Sequence, residues 1–230
     1  MVIGNGMIAK RFEGYSTNND YVIFASGISD STTTATAAFS REENLLRSAI
    51  PANPEKTLVY FSTCSIYDRS MRQSTYVLHK LKMEEIITTN AKKYVIFRIS
   101  NPVGRTNNTH TVFNFFIQHI MEKNPFVVWK YASRNLLDID DMFAICDHIL
   151  TMKLFKNSVV NIANPVNYPV TTIIAAIESH FHTKGIYTFA EKGDSPLIDT
   201  TAIEPFFSEL NIPFNELYLP GILDKYFIQE

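Results

Sequence analysis

Cysteine is scarce in this 230-residue chain: there are two, Cys64 and Cys146, in unrelated contexts. Two isolated thiols exclude a disulfide framework and the paired spacing of a zinc knuckle, and they suit a reducing cytoplasm. Long apolar runs are also missing. None approaches the ~18–20 residues needed to cross a bilayer. The chain opens directly into a strand pattern, without the basic and then apolar run of a signal peptide, so a cytoplasmic location away from membranes is expected. Charge of one sign is not in excess either, with a net charge of -2, a pI near 6.3 and scattered lysines and arginines. No electrostatic footprint for nucleic acid results. There is no internal repeat and no low-complexity tract. His180 and His182 have H-x-H spacing but end a helix pattern beside Lys184, so no metal site is expected. Asn107-Asn108-Thr109 has the form of a glycosylation sequon and is read as coincidence in a cytoplasmic chain.

Core-forming material is plentiful, at 46% hydrophobic and 13% aromatic residues. Met1–Ile3, Tyr21–Ala25, Thr57–Ser62 and Tyr94–Ser100 read as strands buried on both faces, and Val159–Ile162 would add another strand. Helical periodicity runs over Met7–Phe12, Thr36–Ala49, Thr75–Thr88, Val112–Lys123, Asp140–Met152, Thr171–His182, Thr200–Leu210 and Phe214–Phe227. Strands that alternate with helices predict an α/β fold: a Rossmann-like parallel sheet with helices on both faces. After Arg98 the pattern is less regular, with short strands at Phe126–Trp129 and Arg134–Ile139. A small C-terminal α/β substrate lobe is therefore expected. Residues 1–105, with 136–165 returning to them, form the core, and 106–135 and 166–230 form the lobe. Any ligand cleft should open at the carboxyl ends of the parallel strands.

Two local patterns fall at those ends. Gly4-Asn5-Gly6-Met7-Ile8-Ala9 is G-x-G-x-x-A between a strand and a helix. The first glycine suits a tight turn, the second a close approach of backbone to pyrophosphate, and Ala9 close helix packing. Any tight βα turn can use two glycines, so the motif alone leaves its role open. Farther on, Ser62-Thr63-Cys64-Ser65-Ile66-Tyr67 ends a strand, and Tyr76-Val77-Leu78-His79-Lys80 opens a helix. Tyr76 and Lys80 share a helical face, so the ammonium can favour a phenolate and bring it towards acid/base work. Tyr-x-x-x-Lys spacing also arises by chance on helices. Phe115-Phe116, Ile117, Ile120 and Met121 suit a core or a subunit contact. Asp140 is read as a helix N-cap, and Trp129 suits either the core or stacking on a base.

Taken in order, these residues resemble the extended short-chain dehydrogenases/reductases, in particular the NAD-dependent epimerase/dehydratase group acting on nucleotide-sugars. That pattern has a glycine turn, then strands ending in H-L-A-A and S-S/T-x-x-V-Y. Y-x-x-x-K, R-x-x-N-x-x-G and R-D-F-x-x-V-D-D follow. Here they stand as Phe24-Ala25-Ser26-Gly27, Ser62 to Tyr67, Tyr76 with Lys80, Arg98 to Gly104, and Arg134 to Asp141. Val160-Asn161-Ile162-Ala163 is similar to the family's Y-N-V-G strand, and Gly193-Asp194 with Asp199-Thr200 to its late G-D region. The resemblance implies NAD or NADP as cofactor, contacted by Gly4, Asn5, Gly6, Met7, Ile8, Ala25, Ser26 and Lys80. It implies Tyr76 as acid/base, Lys80 orienting it and the nicotinamide ribose, and Thr63 on the reacting sugar oxygen. Cys64, Ser65, Asn101 and Arg134 would meet the nucleotide-sugar, Arg134 as a bidentate fork on its diphosphate. The implied activity is a reductase or epimerase of surface-polysaccharide synthesis, in a possible homo-oligomer.

Three departures qualify this. Between Gly4 and Tyr21 there is room for one short helix and a polar turn, where the family fits a strand, a helix and another strand. About two strands are lacking, and with them the residue that reads the cofactor's 2′ position. Cys64-Ser65 replaces the Asp-Glu pair of the family's 4,6-dehydratases, which argues against dehydration. The loop from Thr63 to Tyr76 is short, with little material for a lid. The shortened half also leaves a second reading open: a non-redox member that binds a nucleotide-sugar or senses a dinucleotide.

Overall fold

The central strands carry consecutive apolar residues, at 21–24, 58–61 and 94–97, and the computed structural model shows both faces in use. The structure describes residues 1–106 and 111–227; the sequon at 107–109 lies outside them. Strands β1 (Val2–Ile3), β2 (Tyr21–Phe24), β3 (Thr57–Thr63), β4 (Tyr94–Ile99) and β8 (Ser158–Ile162) form one all-parallel sheet in the order β1-β2-β3-β4-β8. Because side chains alternate along a strand, Ile23, Val59, Phe61, Val95 and Phe97 face one core. Val22, Phe24, Leu58, Tyr60 and Ile96 face another. The first core is closed by Phe12, behind the short helix α1 (Met7–Arg11), and by α5 (Ile139–Thr151) through Met142, Ile145 and Ile149. The second is closed by α2 (Thr36–Ala52) through Leu46 and Ala49, and by α3 (Thr75–Asn90) through Met83, Ile86 and Ile87.

The strand order never reverses. In a doubly wound sheet of order 3-2-1-4-5-6 the first strand is internal and ligands lie where the order turns back. Here β1 is the edge, paired only with β2 through Val2–Ile23 and Ile3–Phe24. The chain between α1 and β2 makes only a 3-10 turn, Glu13–Tyr15. The two strands that would carry an adenosine half are thus lacking from the described sheet.

The remaining elements lie outside the five-stranded sheet. They are β5 (Asn101–Val103), α4 (Val112–Met121), β6 (Phe126–Trp129), β7 (Ser133–Asp138), β9 (Asn167–Pro169), α6 (Val170–His180), β10 (Tyr187–Ala190), α7 (Glu204–Glu209) and α8 (Tyr218–Tyr226). They form a β5-β7-β9 sheet and a parallel β6-β10 pair. On α4, Phe116 and Ile120 are buried while Phe115 and Met121 are exposed. One local expectation is corrected. The N-cap of α5 is Asp138, whose carboxylate accepts the Asp140 N–H at 2.7 Å, and Asp140 lies inside the first turn. Asp138 also accepts from Lys225 and Tyr226, each at 2.7 Å, which ties α8 to the start of α5.

Candidate active site

The β1–α1 turn depends on its glycine. Gly4 has φ +134°, and a Cβ there would lie 2.3 Å from the Ala25 carbonyl oxygen and 3.0 Å from the Ser26 nitrogen. Only glycine allows that conformation and that approach. A side chain at Gly6 would meet nothing within 4 Å, so its bare backbone opens into a cleft of about 700 Å³ at the carboxyl ends of the strands. This cleft brings together Asn5, Gly6, Met7, Ile8, Ala25 and Ser26 from the turn side with Thr63, Cys64, Ser65, Tyr76, Lys80, Asn101 and Arg134. Of the cofactor and substrate contacts that the resemblance implies, Gly4 alone is outside the lining, behind Ala25. Trp129 sits at the far end with Pro196 and Ile198. A hollow of about 300 Å³ at the opposite end of the strands holds none of these residues.

Thr63 ends β3, where its hydroxyl accepts the Ser65 N–H at 3.0 Å and shares a hydrogen bond with Ser65 Oγ at 3.0 Å. Either hydroxyl can donate across that pair, which leaves one of the two protons to meet a ligand. Cys64 is buried, with its thiol on the Arg98 carbonyl at 3.0 Å. Burial pushes that thiol up to about 12, so it stays protonated near neutrality and is no thiolate base. Arg98, at the other end of this wall, forks onto Glu84 at 3.0 and 2.6 Å, and Glu84 also accepts from Ser62 at 2.5 Å. Arg134 donates to the Ser133 carbonyl at 2.8 Å and lies 4.0 Å from Asp68. Its other N–H groups meet no acceptor among the described residues. Asn101 donates to the Asn135 carbonyl at 2.8 Å.

Tyr76 is buried at the cleft wall, and its hydroxyl bonds to no described residue. Lys80 is on the same face, with Nζ 6.0 Å from the centre of the Tyr76 ring. Its ammonium, however, is enclosed. It lies 3.1 Å from Glu42 Oε1, 3.1 Å from Tyr60 Oη and 3.5 Å from the Phe61 carbonyl. Three protons thus face three protein acceptors. Glu42 is fully buried and also accepts from Tyr60 at 2.6 Å and from the Ile28 N–H at 2.8 Å, with His79 Nε2 3.2 Å away. Burial alone would raise the Glu42 carboxyl. The His79 bond, the Lys80 charge and the Tyr60 hydroxyl outweigh that and hold it down to about 2. Tyr60 in turn is pushed well above the ordinary phenol value by burial and by the adjacent carboxylate.

Glu42 is the residue that reading by motif misses. Its signal was its register: 42, 46 and 49 form the buried stripe of α2, and Glu42 is the charge in it. Arg41, which also lines the cleft, belongs to no family motif. The residues present fit a dinucleotide unevenly. The bare Gly6 turn and the Thr63–Tyr76 wall suit its pyrophosphate and nicotinamide end, and no described strand flanks β1 to receive the adenosine end.

Known proteins share this fold at low sequence identity. A UDP-glucuronic acid 4-epimerase from Bacillus cereus, solved in complex with NAD, matches with a TM-score of 0.70 and 18% identity, over 90% of this chain and 71% of that one. UDP-glucose 4-epimerase of Thermus thermophilus, in complex with NAD, matches at 0.68 and 13%, over 93% and 78%. RMD from Pseudomonas aeruginosa, complexed with NADPH, matches at 0.70 and 15%, over 97% and 98%. These likenesses concern the fold. No curated protein sequence matches the chain. The model of the NAD dependent epimerase/dehydratase family matches residues 16–163. That span contains Thr63, Tyr76, Lys80 and Arg134 and begins after the glycine turn. By this match the chain belongs to the NAD dependent epimerase/dehydratase family.

Proposed function

We propose that the protein is an NAD(P)-dependent reductase or epimerase of a nucleotide-activated sugar, with Tyr76 as its acid/base. The observation that carries this reading is the cleft that joins the glycine turn, Tyr76 and Arg134. When bound, the cofactor supplies or takes up the hydride at a sugar carbon. The protein's part is to move the proton and hold the substrate. Tyr76 gives its phenolic proton to the sugar oxygen as a carbonyl is reduced, or takes it back as a hydroxyl is oxidised. Thr63, hydrogen-bonded to Ser65, holds that oxygen beside the phenol. Arg134 forks onto the nucleotide diphosphate, and Trp129 offers a ring face to the base. With Cys64 protonated and Ser65 neutral, the positions that carry Asp-Glu in the family's 4,6-dehydratases hold no carboxylate here, which argues against dehydration.

Enclosure of Lys80 by Glu42, Tyr60 and Phe61 favours a second reading, in which the cleft binds a nucleotide-sugar without redox chemistry. Titration decides between them. Trp129 is the sole tryptophan and lines the cleft, so its emission reports binding. Micromolar binding of NADH or NADPH, seen by Trp129 emission and calorimetry, is expected. No binding at millimolar ligand would leave the second reading standing.

A further inference from the structure

Loss of the adenosine wall removes contacts from one end of a dinucleotide, and the turn side of the cleft carries a charge no motif explains. Arg41 leaves the first turns of α2 and reaches Ser26, donating to Ser26 Oγ at 3.0 Å and to the Ser26 carbonyl at 2.9 Å. Ser26 is also where the glycine turn leans, since a Gly4 Cβ would sit 3.0 Å from its nitrogen. One residue thus separates the guanidinium from the bare backbone of the turn. A guanidinium has five donors, and Ser26 takes two bonds. No carboxylate lies within ion-pair distance of Arg41 among the described residues, although nearby charges are paired: Lys80 with Glu42, Arg98 with Glu84, and Arg47 with Glu43. The acid on the same wall, Asp30, turns its carboxylate to the backbone N–H and hydroxyl of Thr32, at 2.9 and 2.6 Å.

We propose that Arg41 clamps the diphosphate of the dinucleotide against the Gly4–Gly6 turn and supplies by charge part of what the missing strands would supply by contact. This rests on the reading that a nicotinamide cofactor binds. The same chemistry occurs in a nucleotide-sugar, which also carries a diphosphate. The dinucleotide is favoured because Arg41 abuts the glycine turn, whereas the substrate end has its own arginine, Arg134. A guanidinium in this place offers parallel N–H groups to two phosphate oxygens.

Arg41 is exposed, so its replacement leaves the fold intact. Calorimetry on wild type, Arg41→Gln and Arg41→Lys, with NADH, UDP-glucose and inorganic pyrophosphate as probes, tests the assignment. In Arg41→Gln the Kd for NADH should rise roughly tenfold, the size of one lost charge-assisted contact. Arg41→Lys should recover part of the loss, and UDP-glucose should bind all three proteins alike. Equal loss of UDP-glucose binding would place the clamp on the other diphosphate and overturn the proposal. So would wild type and Arg41→Gln that bind NADH and pyrophosphate equally, or that both fail to bind them. If wild type takes pyrophosphate but not NADH, and Arg41→Gln loses pyrophosphate, the redox reading fails while the phosphate clamp stands.

Discussion

Glu42→Ala is expected to destabilise the protein by about 3–5 kcal/mol, the cost of leaving one member of a buried ion pair without its partner. The substitution would strip a fully buried Lys80 ammonium of its counter-charge and leave the Tyr60 hydroxyl, His79 and the Ile28 N–H without their acceptor. Urea unfolding measures the loss directly. Two companions show that the charge, and not the cavity, is responsible. Glu42→Gln keeps the shape and should still cost most of the stability. Adding Lys80→Met to Glu42→Gln should restore much of it, because neither charge is then buried alone. A loss below about 1 kcal/mol in Glu42→Ala would mean that the pair is relaxed and hydrated in solution. The pH dependence has a definite sign. The carboxyl titrates at about 2 when folded, against an ordinary value of 4.5. Its contribution is therefore complete above about 4.5 and is lost as pH falls towards 2. Glu42→Gln should flatten the stability curve in that window.

Tyr76→Phe is the second large effect. Removing a positioned acid/base group lowers turnover by roughly a hundred- to ten-thousandfold, and here the phenol is the ionisable group on the cleft wall whose hydroxyl no described residue occupies. The ring stays, so the packing of α3 and the affinity for NADH should be unchanged. The comparison is of kcat for the two proteins on a nucleotide-sugar that wild type turns over. Equal rates would remove Tyr76 from the chemistry. Rates that fall together with NADH affinity would make it a packing residue instead.

Much of the sheet was legible because β2, β3 and β4 are apolar at consecutive positions, a pattern that burial on both faces imposes. The shortening was legible for a geometric reason: the chain between Gly4 and Tyr21 is too short for two strands and a helix, and β1 is indeed the edge. The short strands β5, β9 and β10 escaped notice. Two of them are three residues long and contain a proline, and all three pair only within two- or three-stranded sheets. The α2 helix runs past Ala49 and carries Pro51 in its last turn, a place where a breaker looks like a stop. Asp138 and Asp140 are both good caps by type, and only the backbone of β7 decides between them.

The site was half legible. Motif order placed Thr63, Tyr76, Asn101 and Arg134 on one cleft: Thr63 ends β3, Tyr76 opens α3, Asn101 follows β4 and Arg134 stands near the start of β7. Motif order does not report what lies beneath. Tyr60 and Glu42 approach Lys80 from the sheet and from α2, elements separated in sequence. The only local trace of that meeting was a glutamate in the stripe shared with Leu46 and Ala49. Lys80 thus has a structural partner that no spacing rule would find, and Arg41, one residue away from Glu42 on the same helix, faces the opposite environment.

The described sheet stops at β1, so on the proposed function a cofactor is held by its nicotinamide and phosphate end. Titration of reduced nicotinamide riboside 5′-diphosphate, which keeps both phosphates and lacks adenosine, beside NADH by calorimetry on wild type tests this. The two should bind within about threefold of each other, since the adenosine end meets no strand among the described residues. A preference for NADH of about a hundredfold or more would contradict it and would require an adenosine site that the sheet does not supply.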